Sequence, residues 1–291
     1  MKKFKLHFFK EKVRTLDFEK ILSFFDDYPE ATLLPTEADD LEVKILYHLP
    51  IINLKAYFVL SKKSNVAEIY KLSPQYLDVN FRFEISLLTP NFSAKLVFEV
   101  VEKLIKTFEL FCFNYLLEDV MEYKREVILR SFEIAKQNFK DKHQYELTDY
   151  YYFPESKLND CLKYLYEQYD LYRFYKEQEV IVPNYLIIKD ENERIYFAID
   201  WKENTKTVFP PHLSYIFYTF GNEKRILPFE EVMAKLERFT VSVPGFIENT
   251  KVIAVKKIKR VHKIVKKIKV TPINYKFKQV LLKQLIDINK S

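Results

Sequence analysis

Apolar and polar positions alternate most clearly in DVNFRFEISLL, where Val79, Phe81, Phe83, Ile85 and Leu87 fall at period two. That spacing puts these side chains on one face of a pleated ribbon and predicts a half-buried strand over 78–88. Thr89 and Pro90 follow as a helix cap and first helical residue. Val97, Val101, Leu104, Ile105 and Phe108 then recur at i, i+4, i+7, i+8 and i+11, one apolar face of a helix. A short strand over 110–114 closes a β–α–β segment.

Weaker patterns extend the reading on both sides. Residues 4–10 alternate as a strand, and 41–48 and 54–60 read as strands around Pro50. A short helix is expected over 16–25, capped by Thr15, with Asp17 and Glu19 in its first turn. A longer helix is expected over 117–139, opening on Glu118 and Asp119. Residues 140–156 read as a linker. Beyond it, Leu158, Leu162, Leu165, Tyr169 and Tyr172 step by 4, 3, 4 and 3, which predicts a helix over 157–175 with one packed ridge. A hairpin follows, 180–189 against 194–201, turned at 190–193. Strands over 207–209 and 213–220, a helix over 228–238 and a strand over 239–243 complete the pass.

The fold class is therefore α+β, with mixed or antiparallel sheets and packed helices. The expected division is an N-terminal domain over 1–140 and a helix-plus-hairpin domain over 156–291, with a single domain as the alternative. The segment FRFEISLLTPNFSAKLVFEVVEKLIKTFELFCFN resembles small ferredoxin-like modules. The resemblance covers a small part of the chain and carries no chemical motif.

Composition removes whole function classes. At 291 residues the chain has two glycines, Gly221 and Gly245, where average usage gives about 20. Phosphate-cradling loops need clustered glycines for close backbone approach and positive φ. Walker loops, dinucleotide fingerprints, kinase glycine loops and EF-hands are thereby excluded. No cofactor is called for. The excess of Phe, Tyr, Lys and Ile follows AT-rich codon usage and suggests a low-GC bacterium or phage. Cys112 and Cys161 stand apart in apolar stretches and read as small buried hydrophobes, which excludes a cysteine zinc site. Charge returns at Lys10, too early for a signal peptide, and no long apolar run occurs. A cytoplasmic protein is expected, with no transmembrane segment.

Charge is segregated. Residues 251–291 hold 13 Lys or Arg against Asp287 alone, a balance of +12 that leaves −6 on the rest. Ala254, Ile258, Val261, Val265 and Ile268 step by 4, 3, 4 and 3. As a helix, this segment buries one face and presents Lys256, Lys257, Lys259, Arg260, Lys263, Lys266, Lys267 and Lys269 to a partner. Its Val and Ile content equally suits a strand. An opposing acidic face comprises Asp26, Asp27, Glu30, Glu37, Asp39, Asp40 and Glu42, read mostly as loop.

Catalytic patterns are sparse. Asp200 and Lys202 match half of a metal-nuclease DxK motif, but the nearest upstream acids, Asp190 and Glu191, fall in a turn. His7, His48, His143, His212 and His262 form no ligand spacing, and His212 reads as a turn residue after Pro210 and Pro211. The tyrosines over 145–175 interleave with Lys163, Arg173 and Lys176, a pattern that stacks bases or packs a helix face; packing is the expected role. These readings favour a non-enzymatic binding protein of immunity or antitoxin type with a protein partner. The alternatives are a nucleic-acid-associated protein using 251–269 and, last, a metal-dependent nuclease.

Overall fold

The computed structural model describes residues 2–13, 16–35, 37, 40–243, 245, 247–253, 256, 258–269 and 276–288. The chain divides into two units, Met1–Asp149 and Tyr150–Ser291.

In the first unit the strands are β1 (Lys3–Glu11), β2 (Ala31–Leu33), β3 (Glu42–Leu49), β4 (Leu54–Ser61), β5 (Tyr76–Ser86) and β6 (Phe111–Phe113). The helices are α1 (Phe18–Asp26), α2 (Asn91–Phe108) and α3 (Arg125–Lys142). The strands form one antiparallel sheet in the order β2-β3-β4-β5-β1-β6. β5 and β6 both flank β1, so the β5–α2–β6 crossover straddles one strand. The resemblance to ferredoxin-like modules is not confirmed.

Alternation decides which face meets the helices. Phe4, Phe58 and Phe83 point one way, and their rings meet Phe98 of α2, Phe132 of α3 and Phe25 of α1 at 4.6–6.0 Å. β5 carries extra residues opposite the Phe8/Phe9 step of β1, with Asn80 in the left-handed region at φ 56°. Asn tolerates that conformation, and the irregularity re-aims the strand. Phe9 joins a second small cluster with Val66, Phe113 and Val120.

The second unit contains β7 (Tyr151–Pro154), α4 (Glu155–Tyr175), β8 (Val180–Ile181), β9 (Leu186–Lys189), β10 (Ile195–Lys202), β11 (Lys206–Phe209), β12 (Leu213–Phe220) and β13 (Glu223–Pro228). It continues with α5 (Phe229–Leu236), β14 (Thr240–Ser242), β15 (Lys251–Ile253), α6 (Ile258–Lys266), β16 (Lys278–Gln279) and β17 (Leu285–Ile288). The sheets run β13-β12-β10-β9-β16 and β14-β15-β11-β8, with β7 and β17 paired in parallel. Trp201, Phe209, Ile216, Tyr218, Leu227, Val232, Val261 and Val265 fill the core. The class is α+β.

Several sequence expectations are corrected. Asp17, not Thr15, caps α1, accepting from the backbone N–H groups of Glu19 and Lys20; Thr15 lies outside the described residues. The helix expected over 117–139 begins only at Arg125. Asp119 instead accepts from the N–H of Ser73 at 3.0 Å, and Met121 pairs with Cys112, which holds 115–124 as a loop. The expected linker contains the end of α3 and all of β7. The single strand expected over 180–189 is split at Pro183, which has no N–H to donate. β8 joins β11 while β9 pairs with β10.

Both cysteines are buried, and burial pushes each thiol up to about 12. Thiolate is the reactive form. Native protein at neutral pH is therefore expected to resist a thiol reagent that labels both residues in denaturant. Rapid native labelling of either would contradict this burial.

Candidate functional site

Within the basic segment, Ile258–Lys266 is helix α6 and Lys251–Ile253 is strand β15. α6 buries Val261, Val265 and His262, and Ile268 just beyond it, against the second unit's core. β-Branched residues disfavour an isolated helix, so packing of this stripe decides its conformation. His262 fixes the helix further. Its Nε2 donates to the carbonyl of Thr205 at 3.3 Å, which leaves Nδ1 to accept from the Tyr218 hydroxyl at 2.7 Å. Burial lowers its pKa, consistent with a neutral ring. At the C-terminal end, Arg225 donates to the carbonyls of Lys266 and Ile268 at 3.2 and 2.7 Å. A cation there also suits the helix dipole.

This anchoring leaves Lys256, Lys259, Arg260, Lys263, Lys266, Lys267 and Lys269 exposed. Lys257 lies outside the described residues. Lys266 is paired with Glu203, and the guanidinium of Arg260 lies 5.6 Å from the ring of Phe239, with Arg238 at 4.9 Å from the same ring. Lys259, Lys263, Lys267 and Lys269 form no ion pair among the described residues. Between α5 and α6 lies a cleft of about 630 Å³, lined by Glu231, Ala234, Lys235, Ile264, Lys267, Ile268 and Lys269. No large hydrophobic side chain between 258 and 269 is exposed.

Of the acidic residues, Asp26, Asp27, Glu37 and Asp40 are exposed. Asp26 and Asp27 end α1, Glu30 sits in a turn, and Asp40 accepts from the N–H of Glu37 at 2.8 Å. Glu42 is drawn into the sheet by Arg82 and Lys44 at 2.6 and 3.1 Å. Asp39 lies outside the described residues.

Asp200 is exposed on β10 and pairs with Lys224 at 2.8 Å, and Lys202 follows it on the same face. Asp190 is occupied at the hairpin turn, accepting from the N–H groups of Asn192 and Arg194 and from the Tyr196 hydroxyl. No group of three His, Cys, Asp or Glu side chains suited to a metal occurs among the described residues. His212 adopts φ 57° and lies 2.6 Å from Asp160 of α4, tying helix to loop.

Two arrangements escaped the sequence reading. On the sheet face away from the helices, Arg82 donates to Glu84, Ser61 and Glu42 at 2.7, 2.5 and 2.6 Å, and Lys3 reaches Glu84 at 2.7 Å. Burial works to raise the Glu84 carboxyl, but hydrogen bonds from Lys3 and Arg82 outweigh it and the pKa is lowered. His7 lies beside this network, 2% exposed, and its Nε2 has no hydrogen-bond partner among the described residues. Burial, then Arg82 and Lys5, lowers its pKa to about 4.

The consequence is a pH-dependent stability. The unfolded chain takes up a proton at His7 near pH 6.5, whereas the folded one does so only near pH 4. Stability from this group is intact above pH 6.5 and falls by about 1.4 kcal/mol per unit as pH drops toward 4. Denaturant midpoints at pH 7 and pH 5 are expected to differ less in His7→Phe than in the unchanged protein. Equal losses in the two would rule out this role for His7.

The second arrangement is on α4. The ridge expected to be packed is buried at Leu158, Leu162 and Leu165 but runs out of the core at Tyr169 and Tyr172. No family model matches the chain, and neither a curated protein nor a solved structure matches it. No helix among the described residues is long and apolar enough to cross a membrane.

Proposed function

We propose that this is a binding protein that docks a nucleic acid on the outer face of α6. One observation carries the reading: the helix is anchored through Val261, His262 and Val265, and the exposed side chains between 258 and 269 are all cationic. A protein-docking patch normally places aromatic or aliphatic anchors at its centre. A phosphate-binding surface is polar and strongly positive. Insertion into a membrane interface requires a free apolar face, and α6 turns most of its own onto the core, with Ile258 and Ile264 partly buried against it.

Charge spacing supports the same partner. Lys259 and Lys263 stand at i and i+4 on the helix, and Lys267 follows in the turn that ends it. Like charges at that spacing cost a few tenths of a kcal/mol per pair. A polyanion lying along these lysines relieves that repulsion and releases its own condensed counterions.

Fluorescence anisotropy with labelled DNA and RNA at low salt tests the proposal. Saturable binding is expected, weakened in Lys263→Glu. That substitution turns the like-charge i, i+4 pair with Lys259 into an opposite-charge one, so thermal stability is expected to hold while binding falls. Binding that is indifferent to Lys263→Glu would remove α6 as the docking surface.

A further inference from the structure

We infer that the ligand is single-stranded, and that the C-terminal half of α4 supplies the platform on which its bases stack. The inference rests on the nucleic-acid reading of α6 and names the form of nucleic acid that reading leaves open.

The argument starts from how α4 is buried. Its first half covers Leu158, Cys161, Leu162 and Leu165, and its second half buries Leu171 and Tyr175. Between and beyond them Tyr166, Tyr169 and Tyr172 are 47%, 68% and 52% exposed. Where the ridge leaves the core, its residue type changes from leucine to tyrosine. Leucines in those places would form an aggregation-prone apolar patch, whereas tyrosine offers a π-face with a hydroxyl that water can satisfy.

Side-chain chemistry identifies what those faces suit. Tyr166, Tyr169 and Arg173 step by 3 and 4 along α4, Lys176 follows just beyond it, and the acids Glu167, Asp170, Glu177 and Glu179 are interspersed. The guanidinium of Arg173 lies 5.9 Å from the centre of the Tyr169 ring. Flat aromatic and guanidinium surfaces beside cations are what unpaired bases stack on, and every base has a face to offer. A duplex keeps its base faces stacked on one another and cannot use such a platform. It engages only the phosphate-binding cations.

The test uses the full chain, a labelled oligothymidine and a labelled duplex of the same length. Tyr169 and Tyr172 are exposed, so Tyr169→Ala/Tyr172→Ala leaves the core intact. It is expected to weaken oligothymidine binding by about tenfold or more while duplex binding stays within about twofold. Tyr169→Phe/Tyr172→Phe keeps the rings and is expected to restore oligothymidine binding. Lys259→Glu/Lys263→Glu is expected to weaken both ligands. If that variant loses binding but the alanine variant keeps full oligothymidine affinity, α6 stands and the stacking platform falls. An equal loss of both ligands in the alanine variant also overturns the platform. If the alanine variant alone loses oligothymidine, the platform stands and α6 falls. No binding of either ligand by the unchanged protein at low salt overturns both.

Discussion

Replacing Lys259, Lys263 and Lys267 together by glutamate is expected to lower nucleic-acid affinity by roughly a hundredfold or more at low salt. Each lysine that neutralises a phosphate contributes about 0.7 to the slope of log affinity against log salt on a single strand. Removing three such groups therefore flattens the slope by about 2, and the introduced carboxylates add repulsion. The three side chains are exposed and form no ion pair among the described residues, so the fold loses nothing that they provide. The helix remains held by Val261, Val265, His262 and Ile268. Far-UV circular dichroism is expected to be unchanged, and anisotropy titrations at two salt concentrations read the flattened slope. An undiminished slope would place the phosphate contacts elsewhere.

Arg82→Ala is expected to have the largest effect on stability. Arg82 bridges β3, β4 and β5 through Glu42, Ser61 and its own neighbour Glu84. Removing one partner of a buried ion pair costs about 3–5 kcal/mol, because the other charge stays desolvated. Lys3 still reaches Glu84 at 2.7 Å, which places the loss toward the lower end of that range. Arg82→Met combined with Glu84→Gln removes the stranded charge and is expected to recover much of the loss. Trp201 is the chain's one tryptophan and lies in the second unit, so unfolding of the first is followed by circular dichroism. An Arg82→Ala protein that unfolds at the same denaturant concentration as the original would show that the network carries no stability.

How far the sequence could be read follows from where each element takes its stability. The period-two run in β5 and the apolar face of α2 are local patterns, and both were legible. α6 was ambiguous because its Val and Ile residues suit strand as well as helix; only the core beneath Val261 and Val265 decides the matter. The ridge on α4 was read correctly as one face, but spacing does not say where the neighbouring core ends. Spacing alone therefore assigns Tyr169 and Tyr172 to packing, and they are exposed. Acidic residues at 118–119 imitated a helix start because an aspartate that accepts from a distant backbone, as Asp119 does from Ser73, has the same local signature as a cap.

The polar sites show the same limit. Arg82 and Glu84 were visible as alternate positions of β5, where a solvent-facing role is the ordinary reading. Their burial depends on Lys3 and Glu42, which arrive from other strands. Asp160 and His212 meet although 52 positions apart in sequence, a distance that no local motif spans. The basic face of α6 was legible as composition. That Val261, Val265 and Ile268 of its apolar side are buried in the core emerges only from the packing.

The most direct test is the affinity of the unchanged protein for a labelled oligonucleotide between 50 and 200 mM salt. About five phosphate contacts along α6 give a slope near −3.5 on a single strand, a fall of roughly a hundredfold over that interval. Binding that is absent at the lower salt, or that persists unchanged at the higher, would contradict a phosphate-docking role for this helix.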